Sequence, residues 1–215
     1  MRHQTGATLI SLLIGLLISM LCLIGLLSSY RTMAKTGAES RMAATHDTEL
    51  QNGLTAAQML VQNAGFGLDG TNNLSIETIA IGSNNTSALL WRYKDSSTTT
   101  CQGLADIPDA DPDVSKRKFI IIEVQTGCDS TSNLNTFNWT EKSTLANLVN
   151  YSTGSTNPQQ VTFQRASSAC TPFGTVIGDN SILHPLVTIS AKTSTQNIAG
   201  LNAIEVPVCI LNISS

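Results

Sequence analysis

Between Arg2 and Arg31 the chain carries no Asp, Glu, Lys or Arg, and apolar side chains dominate residues 7–27. At about 1.5 Å of rise per residue, a helix of roughly 21 such residues reaches about 30 Å, the thickness of a bilayer's hydrocarbon core. The stretch therefore predicts a membrane-crossing helix. It is longer than the roughly 7–15 apolar residues of a secretory signal, and no small-x-small cleavage site follows it, so it should be retained and not removed on export.

Charge alone does not orient this helix. Arg31, Lys35 and Arg41, set against Glu39, follow the run, so the positive-inside rule gives no decision. The cysteines do. Cys22 lies inside the run and reads as a small hydrophobe. Cys101, Cys128, Cys170 and Cys209 remain, an even set with no C-x-x-C or His-x-His spacing for zinc. Disulfides in an oxidising compartment are the expectation. Four cysteines allow three connectivities; Cys101 with Cys128 and Cys170 with Cys209 is favoured because sequential loops close at lower entropic cost. Each bridge would contribute about 3–4 kcal/mol.

About 185 residues follow the apolar run, enough for one domain. Charged residues make up only 13% of the chain, against roughly 25% in ordinary soluble domains, and Ser, Thr and Asn take their place. With net charge −3 and no basic cluster longer than Lys116-Arg117-Lys118, direct nucleic-acid binding is not expected.

Helical periodicity continues from Ser28 to about Ala64. Leu50, Leu54, Ala57, Val61 and Ala64 fall on one face, while Gln51, Asn52, Gln58, Gln62 and Asn63 lie mostly opposite. This half should pack against a sheet. Gly37 and Gly53 each weaken it by about 1 kcal/mol relative to Ala and mark points of bending or local melting. The string Gly65-Phe66-Gly67-Leu68-Asp69-Gly70 matches the dinucleotide fingerprint literally, but that fingerprint needs a strand before it and a helix after it. A helix C-cap at Gly65 and Gly67 accounts for it better. Beyond it, residues 75–81, 88–93, 118–125, 161–165, 186–190 and 203–210 read as short strands, with Pro207 restricting the last to a sheet edge or bulge. Residues 133–138 and 150–159 read as loops. Helix first and strands afterwards predict an α+β fold, a long N-terminal stem helix packed on an antiparallel β-sheet head.

Catalytic and metal-binding patterns are sparse. His46 and His184 have no G-x-S-x-G nucleophile turn to serve and are expected at the surface or in an interface. Asp106, Asp109, Asp111 and Asp113 alternate as calcium ligands do. Counted from Asp109, however, Val114 stands where an EF-hand needs its glycine and Ile120 where it needs its glutamate. A solvated acidic loop is the expectation, with Asp109, Asp111 and Asp113 as weak calcium candidates. No cofactor and no enzymatic activity are expected.

The leader Met1-Arg2-His3-Gln4-Thr5-Gly6 is short and basic. Gly6-Ala7-Thr8-Leu9-Ile10-Ser11 resembles the class III signal of type IV prepilins, in which a peptidase cuts after the glycine and methylates the new amine. The resemblance implies cleavage between Gly6 and Ala7 and N-methylation of Ala7. Ala64-Gly65-Phe66-Gly67 is similar to the segment ending the stem helix in PilW-type minor pilins, and Leu89-Leu90-Trp91-Arg92-Tyr93 followed by Cys101 resembles the Arg-Tyr strand before a cysteine in that family. It implies a leader over residues 1–6, a transmembrane and filament-core helix over 7–28, an amphipathic stem over 29–64 and a disulfide-containing head over 65–215.

The implied function is a non-enzymatic minor pilin that helps to prime, assemble or tip a type IV pilus. Implied partners are the prepilin peptidase, the inner-membrane assembly platform, other minor pilins and the major pilin. The implied location is the bacterial inner membrane, single-pass, with the head in the periplasm. A minor pseudopilin of type II secretion, or an uncleaved signal-anchored adhesin or binding domain, would share most of these features. Ser11 departs from the family, which places a glutamate there to pair with the amine of a neighbouring subunit. A carboxylate within the bilayer costs several kcal/mol unless paired, so its absence predicts a subunit with nothing ahead of it, at the filament tip.

Overall fold

The computed structural model describes residues 9–109, 115–151, 157–170, 183–201 and 203–213. It divides into two units, Met1–Ala44 and Thr45–Ser215. One helix, α1, Leu9–Val61, contributes to both.

Within the first unit the large apolar side chains of α1 are all exposed, from Leu9 at 77% to Ile18 at 54%. Its hydroxyls turn back on the helix: Ser19 Oγ donates to the Leu16 carbonyl at 2.9 Å and Thr32 Oγ1 to the Ser28 carbonyl at 3.1 Å. Such back-bonding spares a hydroxyl the need for an outside partner in an apolar medium.

The second unit is β-rich. Strands β1 (Leu74–Ile81), β2 (Asn84–Asp95), β3 (Thr98–Pro108), β4 (Lys116–Glu123) and β5 (Thr140–Val149) form an antiparallel sheet in sequence order. Strands β6 (Val161–Ser168), β7 (His184–Ala191) and β8 (Ile204–Cys209) form a second antiparallel sheet. The α+β architecture is thus the expected one.

The five-stranded sheet is buried on both faces, which explains why residues 88–91 of β2 run apolar without alternation. Leu89 and Trp91 join Leu104, Phe119, Ala146 and Leu148 in one core, which also takes in Leu50, Leu54, Ala57 and Val61 of α1 and Val187, Ile189 and Val208 of the second sheet. Ala88 and Leu90 point the other way, with Ile79, Ile81, Ala105, Ile107, Ile120 and Ile122. That second face is closed by Leu134 and Trp139, from the 3-10 turn Leu134–Thr136 and the residues just after it. Residues 133–138, expected as a loop, therefore include a core element.

Two strands were not expected. β3 contains Gly103 and Asp106 in its interior, which weaken its sequence signal. The glycine is there for space: a Cβ would stand 2.8 Å from the Leu89 carbonyl oxygen and 2.9 Å from the side chains of Ile122 and Leu90. The first half of β5 is charged and exposed, as suits an edge strand. Gly53 of α1, expected as a weak point, lies where helix and sheet approach closely; a Cβ would lie 3.2 Å from Ala146 Cβ.

The helix stops at Val61, three residues short of the expected end, and tightens into turns, with the Ala64 amide bonding to the Val61 carbonyl at 3.0 Å. Gly65 follows at φ +77° and Gly67 at φ +67°, both in the left-handed region that disfavours a Cβ. Space excludes one too, because a Cβ on Gly65 would meet Ile213 Cγ1 at 2.3 Å and one on Gly67 the Lys94 carbonyl oxygen at 2.4 Å. The Gly65 amide donates to the Arg92 carbonyl at 2.9 Å, and Asn212 Nδ2 caps the Gln62 carbonyl at 2.9 Å.

Both disulfides follow the sequential pairing, Cys101 with Cys128 and Cys170 with Cys209. Cys22 is a free, exposed thiol. Pro207 of β8 pairs with Thr188 of β7, and β8 is an edge strand of the second sheet among the described residues.

Candidate functional site

The leader residues Gly6 and Ala7 lie outside the described residues. Ser11 stands exposed on the first turns of α1. From Leu9 to Tyr30 no side chain is charged; the first charges are Arg31 and Lys35, the latter 3.8 Å from Glu39 with both side chains open to solvent. An apolar surface this long and this exposed has no place in water. It suits anchoring in a membrane, and the two disulfides suit an oxidising compartment.

The expected acidic loop does not hold together as a site. Asp106 is fully buried in β3, so it belongs neither to a solvated loop nor to a cation cage. Its carboxylate accepts from Arg117 Nε at 2.7 Å, from the Val161 amide at 2.9 Å and from the Gln160 amide. Its carbonyl accepts from Thr86 Oγ1 at 2.8 Å and Arg117 Nη2 at 3.0 Å, and Arg117 Nη1 reaches the Asn157 carbonyl at 2.9 Å. This node joins β3 and β4 of one sheet to the start of β6 in the other. Burial pushes the Asp106 carboxyl above its usual range, against the opposite pull of the Arg117 charge and the two amides. Asp109 is engaged with Lys118 Nζ at 2.8 Å, and Asp111 and Asp113 lie outside the described residues. Among the described residues no three His, Cys, Asp or Glu side chains are grouped to hold a metal.

His46, expected at the surface or in an interface, is only 5% exposed. Leu50, one turn along α1, draws this face of the helix into the core. His46 Nδ1 lies 3.0 Å from Asp47 Oδ1, and Ser194 donates its hydroxyl to Asp47 Oδ2 at 2.6 Å and its amide to Oδ1 at 2.8 Å. Tyr151 meets the imidazole edge-on, with centroids 5.2 Å apart. A hydrolytic triad needs the serine hydroxyl on the far imidazole nitrogen. Here the hydroxyl is on the carboxylate, so these three groups lock the 194 turn to α1 and create no nucleophile. Burial pushes the Asp47 carboxyl up, but the Ser194 hydroxyl and amide, with His46, outweigh it and leave the group below the usual carboxylate range. His184 Nδ1 is 2.8 Å from the Ile213 carbonyl. A carbonyl only accepts, so that nitrogen carries the proton.

Arg92, next to Tyr93 in the strand singled out from the sequence, is 1% exposed and lies opposite Cys101 in the ladder. Its Nη1 donates to the Asp129 carbonyl at 2.7 Å and its Nη2 to the Asn72 carbonyl at 2.8 Å. The guanidinium and the Cys101–Cys128 bridge, neighbours on one face of the sheet, thus hold the segment after β4 at two points. Asp129 is itself fixed by its own turn. Its carboxylate accepts from the Ser132 hydroxyl at 2.6 Å and the Thr131 amide at 2.7 Å, and these bonds hold it well below the usual carboxylate range.

The only sequence signals near the Asp106–Arg117 node are the basic cluster that holds Arg117 and the acidic run that holds Asp106, and neither points to a pair. No protein-family model, curated protein or solved structure matches the chain.

Proposed function

We propose that this chain is a minor pilin of PilW type, processed at Gly6 and assembled into a type IV pilus as a priming or tip subunit. One observation carries the reading: a single 53-residue helix is wholly exposed and apolar in its first half and, in its last turns, forms part of the core of a β-rich, disulfide-bonded unit. A helix of this kind serves two environments in succession. In the membrane its apolar half is solvated by lipid; in a fibre the same surface is covered by the stems of neighbouring subunits. The glycine turn at residues 65–67, stacked against Lys94 and Ile213, supports the likeness to the family's stem terminus. The experiment is immunogold labelling of surface fibres in the native bacterium. The reading expects label on fibres, absent from a Gly6→Val strain in which the leader is not removed. Fibres that form unlabelled while the protein stays in the membrane would contradict it.

A further inference from the structure

We propose that Tyr30, Arg31 and Lys35 form a collar that binds anionic phospholipid headgroups on the side of the membrane that carries the disulfides. The proposal rests on the membrane-anchor part of the reading above and is independent of filament assembly.

Because α1 is continuous through this point, helical rise fixes depth. Residues 9–30 carry no charge and span about 30 Å, the hydrocarbon thickness. Arg31 then stands at the hydrocarbon edge and Lys35 about 6 Å further out, inside a headgroup layer of roughly 5–7 Å. Arg41 lies about 15 Å beyond Arg31, clear of that layer. Arg31 and Lys35 are four residues apart, so both reach from one face of the helix.

The side chains are available. Tyr30 is 71% exposed, and an amphipathic ring at this depth suits the interface. Lys35 meets Glu39 at 3.8 Å with side chains 78% and 64% exposed, a geometry that holds little energy and releases the ammonium readily. Guanidinium and ammonium are the groups that bind phosphate oxygens, Arg in bidentate fashion. The disulfides place Arg31 and Lys35 on the side where basic residues work against the usual topological bias. Phosphate binding gives these charges a role there.

The full chain is reconstituted in vesicles of equal phosphatidylcholine and phosphatidylglycerol, extracted in mild detergent, and assayed for phospholipid retained per protein. Each basic group at an anionic surface changes partitioning roughly fivefold. Wild-type protein should therefore retain phosphatidylglycerol at least fivefold over phosphatidylcholine. The R31Q/K35Q chain should return to the bulk ratio, and R41Q should keep the enrichment. A bulk ratio in the wild type, undiminished enrichment in R31Q/K35Q, or equal loss in R41Q would overturn the collar. Flotation with pure phosphatidylcholine vesicles separates the two claims: a chain that floats without preferring phosphatidylglycerol contradicts the collar alone, whereas one that does not float contradicts the anchor as well.

Discussion

At the scale of single residues, the interior of the second unit depends on a few polar groups placed among apolar ones. Removing the Asp106 carboxylate would leave Arg117 buried without its counter-ion, which costs about 3–5 kcal/mol. Asp106→Asn should accordingly lower the urea midpoint of the full chain in detergent, and Asp106→Leu with Arg117→Met should restore only part of the loss, because it removes the unpaired charge but leaves the Val161 and Gln160 amides without their acceptor. An unchanged midpoint in Asp106→Asn would show that the node holds nothing together. The pH dependence has two signs. Asp47 and Asp129 have folded pKa values below their unfolded ones, so their contribution is present above about pH 4 and is lost as pH falls through the folded values. Protection of the Thr131, Ser132 and Ser194 amides, measured against their intrinsic exchange at each pH, should fall as pH drops through the folded values. Asp106 is shifted upward by burial, so its contribution has the opposite sign, greatest below about pH 4 and declining as pH rises through the folded value.

At the scale of elements, two glycines of α1 give opposite expectations. Gly53 faces Ala146 at contact distance, while a Cβ on Gly37 would meet nothing within 4 Å. Gly53→Val should destabilise by about 1–3 kcal/mol through overpacking, read as a lower urea midpoint. Gly37→Ala should slow local amide exchange near residue 37 by an amount equivalent to about 1 kcal/mol, the helix-propensity difference. Legibility followed the same division. The stem helix was readable because its apolar positions keep a 3.6-residue period from Leu50 to Val61 and no proline interrupts it. β1, β2, β4, β6, β7 and β8 were readable from their β-branched and apolar runs. β3 was not, because Gly103 and Asp106 serve close packing and a buried ion pair that only the fold reveals. β5 was not, because its exposed first half resembles a loop. The polar node and the burial of His46 were hidden for one reason: partners such as Val161 and Ser194 are far away in sequence, and charge patterning records only neighbours.

At the scale of the whole molecule, an exposed apolar helix and a disulfide-bridged head suit a protein anchored in a membrane with its head in an oxidising compartment. Without reductant, Cys101, Cys128, Cys170 and Cys209 should resist alkylation in detergent-solubilised protein while Cys22 reacts, as mass mapping would show. Free alkylation of the four would place the head in a reducing compartment. The departure at Ser11 makes a positional prediction. Gold label on native fibres should sit at their ends, whereas label spread along wild-type shafts would exclude the tip position. Ser11→Glu should alter assembly little or admit the subunit along the shaft.

The most direct measurement is the amino terminus of the mature protein isolated from native membranes. Mass spectrometry of the N-terminal peptide should find a chain beginning at N-methylated Ala7, with the leader through Gly6 gone, and Gly6→Val should keep the leader attached. An intact Met1 on the membrane-resident wild-type protein would contradict the pilin account.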